Sequence, residues 1–227
     1  TALAEATDEG AAALLATFQT YLGTTEGVVA VAVDGDAYAV TLDVAPLLAK
    51  IPGEAGLTAT VSKVEMSVVD NGDGTWDYAV DQPVTVAYEV PGVMKSSTEY
   101  GQFLLTGTFD EELGDSSEYH LEMNNLVTDQ TQTDPTMGEM TIKMTQDSMV
   151  MDGSAEAGDA GVNSQFTTTA SGLTYDMSMP GGEGMPPMAF TATVAEGGAT
   201  GGITGYQPQG LYGLLAFFVS HPDAALI

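Results

Sequence analysis

The chain has 227 residues, 32 of them acidic against 4 lysines, with no arginine and no cysteine, giving a formal net charge of −28. Four scattered lysines (Lys50, Lys63, Lys95, Lys143) cannot displace the counterions of a phosphate backbone, which excludes a nucleic-acid binder and argues against an anionic membrane surface. Without a thiol there is no disulfide framework, zinc–thiolate site, iron–sulfur cluster or cysteine nucleophile.

The hydrophobic share of 44% is dispersed along the chain, so the high charge does not signal disorder. No apolar run reaches the roughly 20 residues that span a bilayer as a helix. At the start, Ala2-Leu3-Ala4 has the small-residue pattern that signal peptidase requires. Residues 1–4 are therefore expected to be the remnant of a secretory leader, and the protein to be periplasmic or secreted. Residues 5–227 then form a single β-rich domain, a length that one domain accommodates.

Leu14, Leu15, Phe18, Tyr21 and Leu22 fall at helical spacing, Thr7 or Asp8 can cap the start and Gly23 can close the end. After Gly27 the period becomes two. Gly27 to Val33 and Ala37 to Val44 flank Asp34-Gly35-Asp36, a tight-hairpin signature. Leu57 to Val69 alternates, breaks at Asp70-Asn71-Gly72-Asp73-Gly74 and resumes through Trp76, Tyr78 and Val80. Val84, Val86, Tyr88 and Val90 continue to Pro91-Gly92, and Tyr100 to Phe109 follows. Further short strands are expected at Tyr119–Met123, Met140–Met144, Met149–Met151, Phe166–Thr169, Leu173–Met179 and Met188–Val194.

About a dozen strands with short turns predict an α+β, mostly β fold: a meandering, curved antiparallel sheet or a β-sandwich, since parallel pairing would need helical crossovers. One face is buried and the other wet. The sheet region covers residues 24–196, and residues 197–210, rich in glycine and without period, read as a flexible connector. A helical end over 211–227 follows, with a short apolar helix from Leu211 to Ser220, a break at His221-Pro222 and an uncapped apolar close that suggests truncation.

Asp70 to Asp77 is the densest acidic loop, but glycine occupies the third and fifth places where an EF-hand needs oxygens. A hairpin turn explains it without calcium. Neither His120 nor His221 has a nucleophile at recognised spacing, Gly-x-Ser-x-Gly is absent, and so is the phosphate-cradling Gly-x-x-x-x-Gly-Lys-Ser/Thr. The sequence therefore points to no catalytic residue.

Methionine is the unusual feature. Ten of 12 lie between Met123 and Met188. Met140/Met144, Met149/Met151 and Met177/Met179 sit at period two, together with Tyr175, Met188 and Phe190, and can form core, or an adaptable apolar face for a hydrophobic ligand or a protein partner. Thioether sulfur also selects Cu(I), and Asp176 to Met188, containing Met177, Met179, Met185 and Met188, resembles the Met-rich loops of extracytoplasmic copper carriers.

The leader-like start, the long meander, the phrase Gly101-Gln-Phe-Leu-Leu-Thr-Gly-Thr-Phe-Asp110 and the closing apolar helix together resemble a large β-rich periplasmic family of Gram-negative bacteria with no established function. That resemblance implies an extracytoplasmic address and a chain shorter than the family's, and it transfers no catalytic residues. The expected function is non-enzymatic: an apolar, concave sheet face holding a lipid-like ligand or a protein partner, with the apolar helix as a lid. Cu(I) binding and a purely structural surface or assembly role are the alternatives.

Overall fold

The computed structural model describes residues 4–49, 56–134, 138–181 and 186–220. Helix α1 (Asp8–Leu22) begins at the N-cap Thr7, whose hydroxyl accepts from Gly10 N–H at 3.0 Å. Asp8 and Glu9 lie in the first turn, where the helix dipole favours them, and Gly23 (φ 77°) ends the helix. The strands are β1 (Val29–Asp34), β2 (Ala37–Leu42), β3 (Thr58–Val61), β4 (Val64–Asp70), β5 (Thr75–Val90), β6 (Met94–Asp110), β7 (Asp115–Asp134), β8 (Gly138–Gly158), β9 (Gly161–Met179) and β10 (Met188–Tyr206). Helix α2 (Ala45–Leu48) follows β2, and α3 (Pro208–Ser220) follows β10.

All strand pairs are antiparallel and form one open sheet in the order β1-β2-β4-β5-β6-β7-β8-β9-β10, with β3 pairing β5 beyond the end of β4. The meander is as expected; the sandwich alternative is not formed, because the described strands make no second layer. The segment Leu57–Val69 divides into β3 and β4 because Gln82 stands in for the ladder between them. Its side-chain oxygen accepts from Glu65 N–H (2.8 Å) and its amide donates to the Lys63 carbonyl (2.7 Å). Pro83, which has no N–H to offer, follows at once. Helix α2 replaces the expected end of the strand at Val44, with the Asp43 carboxylate accepting from Ala45 N–H at 2.9 Å.

Among the described residues ten strands form instead of about a dozen, and β5 to β10 run 16 to 21 residues each. The short strands of the sequence reading are halves of these long ones. In each of β6 to β10 the two-residue alternation slips by one residue at the same level, along a line through Gly101, Asn125, Asp147, Gly172 and Ala195. Asn125 (φ 54°) and Gly172 (φ 66°) take the left-handed conformation this requires. Strand β5 carries no extra residue, so its register with β6 shifts between Gln82 and Val84. A period that changes phase in mid-strand looks like two strands, although the backbone pairing continues through it.

The expected connector at 197–210 is also corrected: Gly197 to Tyr206 is the second half of the edge strand β10, paired with β9 from Ala170 to Val162. Glycines show no periodicity, but their backbones pair normally.

Helix α1 packs on one face of β1, β2 and β4, where Ala6, Ala11, Tyr38, Val40 and Val68 form the buried core, flanked by Leu14, Phe18, Trp76 and Tyr78. Tyr38 lies directly under Gly10, and its hydroxyl accepts from Thr7 N–H at 3.3 Å. Helix α3 meets α1 through the Tyr21–Tyr212 ring pair at 5.1 Å. Few residues are fully buried. The accessible surface is 13597 Å², against about 9,700 Å² for a compact monomer of this mass. A single sheet layer with helices at one end accounts for the excess.

Candidate functional site

Residues directly opposite in an antiparallel pair share a face, so the registers define a helix face and a polar face for the whole sheet. On the helix face one row runs across seven strands: Val68, Tyr78, Gly107, Tyr119, Gly153, Phe166 and Gly201. Aromatic residues and glycines alternate, and each ring lies over the glycine of the next strand. A Cβ built on Gly107 would stand 2.6 Å from Tyr78 Cζ, one on Gly153 2.5 Å from Tyr119 Oη, and one on Gly201 2.6 Å from Phe166 Cζ. The rings cover backbone that the glycines leave bare, an aromatic rescue repeated three times. Below the row, Tyr78 Oη shares a hydrogen bond with Ser116 Oγ at 2.8 Å, and Tyr206 Oη donates to Asp115. Burial first, and the Asp115 carboxylate second, push the Tyr206 phenol up to about 12.

Beyond the line of extra residues from Gly101 to Ala195, the seam, the helix face is apolar on β5 and on β8 to β10, with a polar strip of Ser96, Thr98, Thr128, Gln130 and Gln132 on β6 and β7 between them. Its rows contain Val86, Met144, Tyr175 and Ala192; then Tyr88, Ile142, Met177 and Phe190; then Met140, Met179 and Met188. Met149 and Met151 belong to the same face on the near side of the seam, opposite Met123 and Leu121. The extra residue at Asp147 is what brings odd-numbered and even-numbered methionines of β8 together. The structure thus unites Met140, Met144, Met149, Met151, Tyr175, Met177, Met179, Met188 and Phe190 on one surface. Most are half-buried by their strand neighbours, while Met188 (51%) and Phe190 (53%) are exposed. Tyr175 and Phe190 make a ring contact at 6.3 Å. Above the seam no described helix or strand lies on this face.

For the Cu(I) alternative, Met179 and Met188 stand directly opposite each other and Met177 shares their face; Met185 lies outside the described residues. Among the described residues no group of three or more His, Asp or Glu side chains is arranged to hold a metal ion. In the acidic loop at Asp70 the oxygens are turned inward: Asp70 accepts from Gly72 N–H (2.7 Å), and Asp73 accepts from both the Thr75 hydroxyl (2.7 Å) and its N–H (3.2 Å). These bonds lower the Asp73 pKa.

The hollow of the sheet is on the polar face, not under the methionines. A cavity of about 1210 Å³ runs from β4 to β10, lined by Asp77, Thr108, Glu118, His120, Asp152 and Thr200 among others. The concave surface was expected to be apolar; the structure places the concavity and the apolar stripe on opposite faces. His120 Nδ1 lies 2.7 Å from Asp152 Oδ1 and its Nε2 is 3.8 Å from Glu122 Oε2. The Asp152 hydrogen bond raises the His120 pKa against the opposing effect of burial, with the Asp152 charge and then Glu122 adding to the rise. The folded value lies above the unfolded one, so the pair adds stability in full below the ordinary His range and loses it as pH rises through the raised value. The His120 ring protons, followed by NMR against pH, are expected to titrate above the ordinary value in the native protein and to fall back toward it in Asp152→Asn. An unchanged midpoint in that variant would show that Asp152 is not the cause.

No protein family, curated protein or solved structure matches this chain. The sequence reading did not identify the hollow or the aromatic–glycine row. The signal for both was the recurrence of single glycines at 107, 153 and 201, which becomes meaningful once strand register is known.

Proposed function

We propose that this is a non-enzymatic, extracytoplasmic binding protein that holds an elongated lipid-like ligand against the apolar half of its helix face. The observation that carries the reading is the Met, Tyr, Ile and Phe surface of β8 to β10 above the seam, from Met140, Ile142 and Met144 through Tyr175 and Met177 to Met188 and Phe190, with no described helix or strand lying on it. Contiguous apolar side chains left uncovered on a sheet face mark an interaction site. Methionine suits a ligand of variable shape, because its unbranched thioether chain repacks at low energy.

Native mass spectrometry after mild purification is expected to show the chain carrying additional mass. A hydrophobic fluorescent probe is expected to bind, and Met177→Glu, on this face, to weaken it by about tenfold or more, since burying an unpaired charge opposes the transfer. Thr141→Glu, exposed on the polar face of β8, is the control and should change little. Recovery of the bare chain mass with no probe shift would refute the proposal, and equal losses in the two variants would place the site elsewhere.

Cu(I) binding is supported by one observation, the direct opposition of Met179 and Met188 on the face that also carries Met177. Titration with Cu(I) against a chelator decides it: an affinity unchanged by Met179→Leu with Met188→Leu removes this reading.

A further inference from the structure

We propose that the outer edge of β10 is a strand-addition site for an extended polypeptide segment in which apolar residues alternate with lysine or arginine. Every strand edge presents a row of unpaired N–H and C=O groups, and proteins normally blunt it with short strands, lysine, proline or bulges. Strand β1, at the opposite edge of the sheet, is 6 residues long. Strand β10 is 19 residues long and contains no lysine or proline; its extra residue at Ala195 is matched by Gly172 on β9, so its register with β9 does not shift before Ile203. No described strand pairs with its outer side.

The two faces at this edge define the chemistry of the occupant. On the helix face Met188, Phe190 and Val194 are 51%, 53% and 47% exposed, although their neighbours on β9 are half-buried. One more strand with apolar residues on that side would cover them. On the polar face β10 presents mostly small residues, Ala189, Thr191, Thr193, Gly198 and Thr200, with Glu196 as its only charge. A long cationic side chain on an added strand can pass over these and reach Asp176 on β9, which is already oriented by a 2.6 Å bond from Thr191 Oγ1. The polar hollow also opens toward this edge, since Thr200 and Gly201 line it together with Asp152. A formal charge of −28 attracts a basic segment at long range and disfavours a second copy of this chain in the same place. Backbone pairing then supplies the affinity, as in other cases of β-augmentation.

A short peptide alternating valine and lysine is the probe. Fluorescence anisotropy at low salt is expected to show saturable binding, weakened about tenfold or more when alternate peptide N–H groups on one edge are methylated and similarly when glutamate replaces lysine. Because the chain has no cysteine, position can be read directly. A cysteine in the peptide is expected to crosslink to Thr193→Cys on β10 and not to Ala32→Cys on β1. Absence of binding, or equal binding by the methylated peptide, overturns strand addition. Equal binding by the glutamate peptide overturns the charge pattern, and equal crosslinking at the two edges overturns the assignment to β10.

Discussion

Replacing Gly153 with alanine is expected to destabilise the protein by about 2 kcal/mol, and the same change made in a Tyr119→Ala background is expected to stabilise it. In the native protein the new methyl would occupy the space of the Tyr119 ring, which lies across Gly153 and reaches Met151 Sδ with its hydroxyl at 3.5 Å. The ring must leave its position, and the backbone it covered returns to water. With the ring already removed, the site is an ordinary strand position where alanine is better than glycine by roughly 0.5–1 kcal/mol. The sign therefore reverses, and the coupling between the two positions is about 2–3 kcal/mol, the range for residues in direct contact. Urea denaturation of the four proteins measures it. Additive effects would show that the ring does not depend on the glycine. Gly201 with Phe166 repeats the arrangement, so the same reversal is expected there, smaller because β10 has a neighbour on one side only; at Gly107 the Glu118 carbonyl oxygen also stands 2.6 Å from an added Cβ, so alanine is expected to destabilise with or without the Tyr78 ring.

The second large effect is that of salt. Four lysines can neutralise at most four of 32 carboxylates; Lys63 does so with Asp43 at 3.1 Å. The registers leave Asp77, Glu118 and Asp152 lining one hollow on the polar face. Repulsion between them is screened once the Debye length falls from about 30 Å at 0.01 M salt to about 3 Å at 1 M. A gain of a few kcal/mol corresponds to a Tm rise on the order of 10 °C for a chain of this size. A Tm that stays level or falls over that range would show that the folded sheet does not feel its own charge. The hydrophobic term also strengthens in excluded salts such as sulfate. Sodium chloride and sodium sulfate compared at equal ionic strength separate the two contributions.

The relation between sequence and fold differs along the chain. Helix α1, with Thr7 as cap and Gly23 as stop, and the hairpins at Asp34-Gly35-Asp36 and Asp70 to Gly74 were legible, because each depends on residues within a few positions of one another. The strands from β6 onward were visible only in halves. Their alternation changes phase at Asn125, Asp147 and Gly172, and nothing local marks the change as a bulge and not a turn. The glycines at the end of β10 misled for a related reason: without side chains they carry no periodic signal, and their place in the sheet is set by backbone pairing with β9, with Phe166 lying over Gly201.

The candidate site divides in the same way. That the methionines belong to strands, and that a chain with this charge has one strongly anionic surface, followed from composition and alternation alone. That Met144 and Met149 face the same side although five residues apart, that Met179 meets Met188, and that the hollow lies beneath carboxylates and hydroxyls instead of thioethers were decided by register and curvature. Pairing between strands distant in sequence is a property of the whole sheet: one extra residue in each of five strands keeps Met149 and Met151 on the same face as Met140 and Met144, and no single strand contains that information.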